Sequence, residues 1–169
     1  MTADPQTAVL DYCIDMDSVA YQVHAQFAIS ETAPELRRDE AEHIGYWKAL
    51  IRLREEGDAP EYFEEPIALG RTLEEASRNM HELMSSIRDG MDGQQRLTVA
   101  CLMELTFLHQ PLLQVLRYAR TTGSGEDPLE AYNRHLQSFL SGVGALGTSL
   151  DLRLSVDALR RLWAETRGL

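Results

Sequence analysis

Glu40 and His43 stand three residues apart in a stretch where Leu36, Trp47 and Leu50 recur at helical spacing. On a helix, both fall on the face that carries those three apolar residues. Three further helical stretches show the same anomaly: Asp17 with His24, then Glu104, then His135. Glu104 is the only formally charged residue between positions 97 and 116. Carboxylates and imidazoles are costly to desolvate, so each needs a partner inside a helical core. A metal ion is the partner that serves several of them at once. Carboxylate oxygen with imidazole nitrogen suits iron, manganese or zinc, and no thiolate is offered. Each element also has a plainer reading. Glu40 with His43 can be an ion pair, and Asp17 with His24 a hydrogen-bonded pair that sets helix register. Glu104 can meet an inward-reaching Arg96 or Arg117, or His135 directly.

The elements that must position these residues are helices. Period-2 alternation is almost absent and the 3.6-residue period dominates, so the fold class is all-α. The pattern predicts main helices over about 6–29, 34–56, 94–120 and 128–142, a connecting helix over about 72–88 and a C-terminal helix over about 156–166. Thr32 is the candidate N-cap of the second helix and Gly57 its stop. Thr72-Leu73-Glu74-Glu75 reads as a capping box and Ser155 as the last N-cap. Pro111 can bend the long third helix. Two hairpins with short loops, joined by a long crossover, make a ferritin-like four-helix bundle rather than a simple up-down one.

Helical wheels refine the placement. With Asp17 at the origin, His24 lies within about 20° of it, two turns on. Leu10, Cys13, Ile14, Ala20 and Tyr21 share that side, and Asp15 lies outside. Around His43 stand Leu36, Tyr46, Trp47 and Leu50, with Asp39 and Glu42 flanking. His135 lies beside Ala131, Tyr132 and Phe139. His81 belongs to the connecting helix and His109 is off the Glu104 face, so neither joins the set.

This order of elements resembles the ferritin-like carboxylate proteins, rubrerythrin-type sequences in particular. Those carry a carboxylate on helix one, Glu-x-x-His on helix two, a carboxylate on helix three and Glu-x-x-His on helix four. Glu40-Ala41-Glu42-His43 is similar to the helix-two motif, and Phe27-Ala28 after Tyr21 and His24 is similar to the end of helix one. The resemblance covers about residues 10–145. It implies Asp17, Glu40, His43, Glu104 and His135 as metal ligands of a di-iron or mononuclear site, with Glu40 or Glu104 bridging. It also implies oxidoreductase or iron-handling chemistry with oxygen or peroxide, and a homodimer. Two departures bear on the site. Helix one offers the shorter Asp17, and Tyr132-Asn133-Arg134-His135 lacks the helix-four glutamate, Glu130 pointing elsewhere. The site then holds one metal, holds two asymmetrically, recruits His24 or Tyr132, or is degenerate. Tyr21, Tyr46, Trp47 and Tyr132 are redox relays, donors to the ligands, or core packing.

Bulk properties set the frame. The 169 residues suit a single domain, and the hydrophobic (44%) and charged (25%) fractions are those of a soluble globular chain. A net charge of −11 argues against nucleic acid and anionic membranes as partners. The first residues carry no basic or apolar leader, and Cys13 and Cys101 lie in apolar helical patterns, so a reducing cytoplasm is expected. The apolar run 97–116 contains Glu104, Gln110, Pro111 and Gln114, which argues against a membrane span. There is no phosphate-cradling glycine loop, nucleophile elbow or Cys-x-x-Cys, so hydrolase and kinase chemistry have no basis. The alternative to a metalloprotein is a non-catalytic bundle with a structural polar network that docks a partner through Tyr62, Phe63 or Trp163.

Overall fold

A computed structural model of the chain describes residues 4–26, 33–57, 63–108, 110–121, 127–144 and 149–167. These residues form seven helices and no strand: α1 (Pro5–Gln26), α2 (Ala33–Glu55), α3 (Pro66–Ser86), α4 (Gly93–Phe107), α5 (Gln110–Thr121), α6 (Pro128–Gly144) and α7 (Leu150–Arg167). The all-α class is as the periodicity requires. Candidate N-cap Thr32, the pair Phe27-Ala28, Tyr62 and His109 lie outside the described residues.

Helix ends follow local chemistry. At the end of α2, Gly57 takes φ +79° and its N–H donates to the Arg54 carbonyl at 3.1 Å, a conformation that glycine adopts without steric cost. Asp92 caps α4: its carboxylate accepts from Gln95 N–H at 2.8 Å, while the Gln95 side chain accepts from Asp92 N–H at 3.0 Å. Asp92→Ala removes one half of this reciprocal pair. It should lower stability by about 1 kcal/mol, read as a shift in the urea midpoint at constant m-value.

Two expected caps are instead interior residues. α3 starts at Pro66, whose fixed φ and missing N–H suit a first helical position. Thr72 therefore lies one turn and more inside the helix, and its hydroxyl donates back to the Ala68 carbonyl at 3.2 Å. α7 starts at Leu150, where the Ser149 hydroxyl accepts from Leu152 N–H at 3.3 Å. Ser155 is interior and donates to the Asp151 carbonyl at 2.9 Å.

The predicted long third helix is two helices, α4 and α5, bent by 60°. Pro111 has no N–H to give the carbonyl four residues earlier, and its ring clashes with it, so α4 ends at Phe107. The second hairpin is consequently made by α5 with α6, while α4 lies along α7. Leu152, Val156 and Leu159 of α7 are buried, and Trp163 Nε1 donates to Asn133 Oδ1 of α6 at 2.8 Å. No single described helix is long and apolar enough to cross a membrane, and the apolar run 97–116 is divided by the bend.

α1 is covered on two sides, by α2 and by the crossover helix α3. Asp15 of α1 accepts from Ser77 and, at 2.9 Å, pairs with His81 of α3. The buried amide of Gln6 holds both backbone groups of Phe63, accepting from its N–H at 2.9 Å and donating to its carbonyl at 2.7 Å. Phe63 is thus buried against α1 and cannot belong to the exposed partner surface expected of it, while Trp163 of α7 is half-buried against α6.

Candidate metal centre

Four helices bring charged side chains to one buried point. Asp17 and His24 are two turns apart on α1, so they project from one face. Glu40 and His43 project together from α2, Glu104 from α4 and His135 from α6. Asp17, His24, Glu40, Glu104 and His135 are each no more than 4% exposed.

Glu40 is the hub. Its Oε1 lies 3.2 Å from His135 Nε2 and 3.7 Å from His24 Nε2, while its Oε2 lies 3.6 Å from His43 Nδ1. Glu104 Oε1 is 3.2 Å from His24 Nε2 and 3.3 Å from His135 Nε2. Two donor sets result. His24, Glu40, Glu104 and His135 each offer one ligand atom, all within 4.8 Å of one another, and so do Asp17, Glu40 and His43. An ion held tetrahedrally at about 2.0–2.2 Å by each donor sets the donors about 3.3–3.6 Å apart. Small side-chain adjustments would close either set on one ion.

The electrostatics favour added cations. Burial pushes the Asp17 carboxyl up to about 8, and the Glu40 charge beside it adds to this. Burial also pushes Glu40 up, but His135, His24 and His43 outweigh it and hold the carboxyl well below the usual range. Glu104 is lowered in the same way, against its burial, by His135 and His24. Burial disfavours the charged form of each imidazole, yet the Glu104 and Glu40 carboxylates raise His135 well above the ordinary value and raise His24 too. Glu40 and Asp17 likewise raise His43 against its burial. Without metal, histidinium protons supply the counter-charge. Asp17, Asp39, Glu40 and Glu104 make four buried carboxylates, a charge that two divalent ions would balance. Glu104 Oε2 is buried without a hydrogen-bond partner, as is His24 Nδ1. The cysteines stay thiols: burial and the neighbouring Glu104 push Cys101 up to about 12, and burial with Asp17 raises Cys13 well above its usual value.

The groups around these donors orient them. Trp47 Nε1 donates to Asp17 Oδ2 at 2.6 Å. Asp39 Oδ2 stands 3.5 Å from His135 Nδ1, placed to favour a proton there and a free lone pair on Nε2. Asp39→Asn should therefore weaken metal binding by about 10–100-fold, measured by competition with a chromophoric chelator. Asp39 is four residues before His43 and so on the same helical face, a signal present in the sequence.

The sequence-predicted residues divide clearly. The structure brings Asp17, Glu40, His43, Glu104 and His135 together, and His24 joins them as a full member of the four-residue set. Tyr132 is in neither set. Its hydroxyl donates to the Glu104 carbonyl at 3.4 Å and its ring stacks on His135, so it braces two of the donors from outside both sets. Tyr21 is 39% exposed and stands apart from the site. α3 packs on α1 on the side of Asp15, which holds Ser77 and His81, and Met16, Val19 and Val23 are buried while Tyr21 is left outside the covered arc. Arg96 turns instead to the Met91 carbonyl and Arg117 is exposed, leaving Glu104 to the histidines. No protein-family model, no curated protein and no solved structure matches this chain.

Proposed function

We propose that this protein is a metal-binding helical bundle of ferritin-like type that holds a carboxylate-bridged pair of iron or manganese ions for redox chemistry with oxygen or peroxide. The observation that carries the reading is the position of Glu40, whose two oxygens face the two donor sets separately. The helix order supports it: α1 and α2 pack together, α3 crosses over, and α4 and α6 complete the donor sets. Oxygen and nitrogen donors without thiolate fit iron and manganese, and zinc is the redox-inert competitor for the same set.

Bound iron would supply one-electron redox chemistry and a place for oxygen or peroxide to react. The chain's part is to hold the ions, orient the donors and limit water. Trp47 fixes Asp17, Asp39 faces His135, and Tyr132 stacks beside it. Phe139, in edge contact with His24, helps close the buried side. A structural polar network is the other reading. The buried Glu104 Oε2, left without a donor, argues against it, because a purely structural network satisfies its buried oxygens.

The test is metal content by elemental mass spectrometry, on protein purified without chelators and on protein reconstituted anaerobically with ferrous iron. About two ions per chain are expected, one for each donor set. A reconstituted protein that holds no metal overturns the proposal.

A further inference from the structure

The two donor sets differ in number, in cover and in spare donor capacity. One has four residues, His24, Glu40, Glu104 and His135, none more than 3% exposed. The other has three, Asp17, Glu40 and His43, and the His43 side chain is 15% exposed. Donor capacity runs the same way. Glu104 Oε2 is buried and unpartnered, free to add a second oxygen to the four-residue set. Asp17 Oδ2 is already committed to the Trp47 N–H at 2.6 Å, which leaves Asp17 one uncommitted oxygen for its ion.

We propose that the two positions are inequivalent: the four-residue position binds its ion first and keeps it, while the three-residue position takes a second, exchangeable ion and leaves room on it for a small anionic ligand. This rests on the dinuclear reading above. Closed sets of protein donors mark structural ions, and sets with an open coordination place mark reactive ones. The His43 side chain is the partly exposed member of the two donor sets, so a small ligand would arrive on that side. The chemical class is a compact anion with an oxygen or nitrogen donor, the class to which hydroxide, peroxide and azide belong.

The experiment is a cobalt(II) titration of the metal-free full chain, followed by visible absorption and by equilibrium dialysis with elemental counting. Wild type should bind in two steps, the second at least about tenfold weaker, since even a supporting group changes affinity by that much. His43→Gln should keep the tight ion unchanged and lose the weak one. His24→Gln should weaken the tight step by at least about tenfold. Azide should alter the spectrum only after the second equivalent is bound. Circular dichroism of each variant reports folding, and the wild-type titration alone tests the two-step expectation. Two ions bound with equal affinity, loss of the tight ion in His43→Gln, or azide acting on the first ion would overturn the inference and leave the dinuclear reading standing. A wild-type chain that takes up only one cobalt ion, or none, overturns both.

Discussion

Glu40→Gln is expected to release both metal ions together, whereas loss of any donor that serves one set should spare the other. Glutamine keeps the size and shape of the side chain but cannot bridge two cations as an anion. The residue is 2% exposed and faces His24, His135 and His43 at 3.2–3.7 Å, so water cannot readily replace the missing charge. The consequence for stability follows from linkage. An ion present at about 100 times its dissociation constant stabilises the fold by about 2.7 kcal/mol. For a chain of this size that corresponds to about 5–11 °C in melting temperature. Wild type should therefore melt higher with ferrous iron or manganese than with chelator, and Glu40→Gln should melt at the same temperature in both. If elemental counting shows two ions still bound to the variant, Glu40 is not the bridge.

The metal-free protein should lose stability as pH rises from about 6.5 to 9, and metal should remove most of that loss. Asp17 has an ordinary value of 3.8 and a folded value of about 8. Between those values the folded chain holds a proton that the unfolded chain has released. Each such proton costs up to about 1.4 kcal/mol of stability per pH unit of rise. His135, His24 and His43 act in the same direction. Their folded values are raised above 6.5, so the stability they contribute is complete below 6.5 and is lost as pH climbs through the folded values. Glu40 and Glu104 act on the acid side. Their folded values lie below 4.5, so their contribution is present above 4.5 and is lost as pH falls through the folded values. Asp17 already costs stability above 3.8, so the metal-free optimum falls close to 4.5, where the Glu40 and Glu104 contributions are complete. Metal takes the place of the protons on Asp17 and the imidazoles, so affinity for it should rise with pH across this range. Urea midpoints at pH 5.5, 7 and 9, with chelator or with manganese, measure both effects. A chelated protein as stable at pH 9 as at pH 6 would show that these protons are not held in the folded chain.

Local chemistry made much of this protein legible in its sequence. Helical periodicity is a property of neighbouring residues, so Asp17 and His24, or Glu40 and His43, could be assigned to common faces without knowing what they meet. A single charge within the apolar run 97–116 marked Glu104 for the same reason. Gly57 was recognisable as a stop because a positive φ suits glycine. Caps were less legible. Thr72 and Ser155 have the right side chains, but Pro66 and Ser149 begin their helices earlier, and a hydroxyl inside a helix can bond to the preceding turn instead.

Neighbouring residues along the chain specify its helices and the angular position of each polar residue on its helix. Which of those residues meet depends on how the helices pack. Tyr21 and His24 both lie close to Asp17 on the α1 wheel, yet His24 reaches Glu104 and Tyr21 is exposed, because α3 covers one flank of α1. His24 of α1 completes the four-residue set beside His135 of α6, a meeting that no spacing within either helix could reveal. Asp39 had the correct angle and acquired meaning only when α6 set His135 3.5 Å from it. Periodicity is set by bonds along one helix, whereas donor sets are set by distances between helices, and those depend on how α1, α2, α4 and α6 pack.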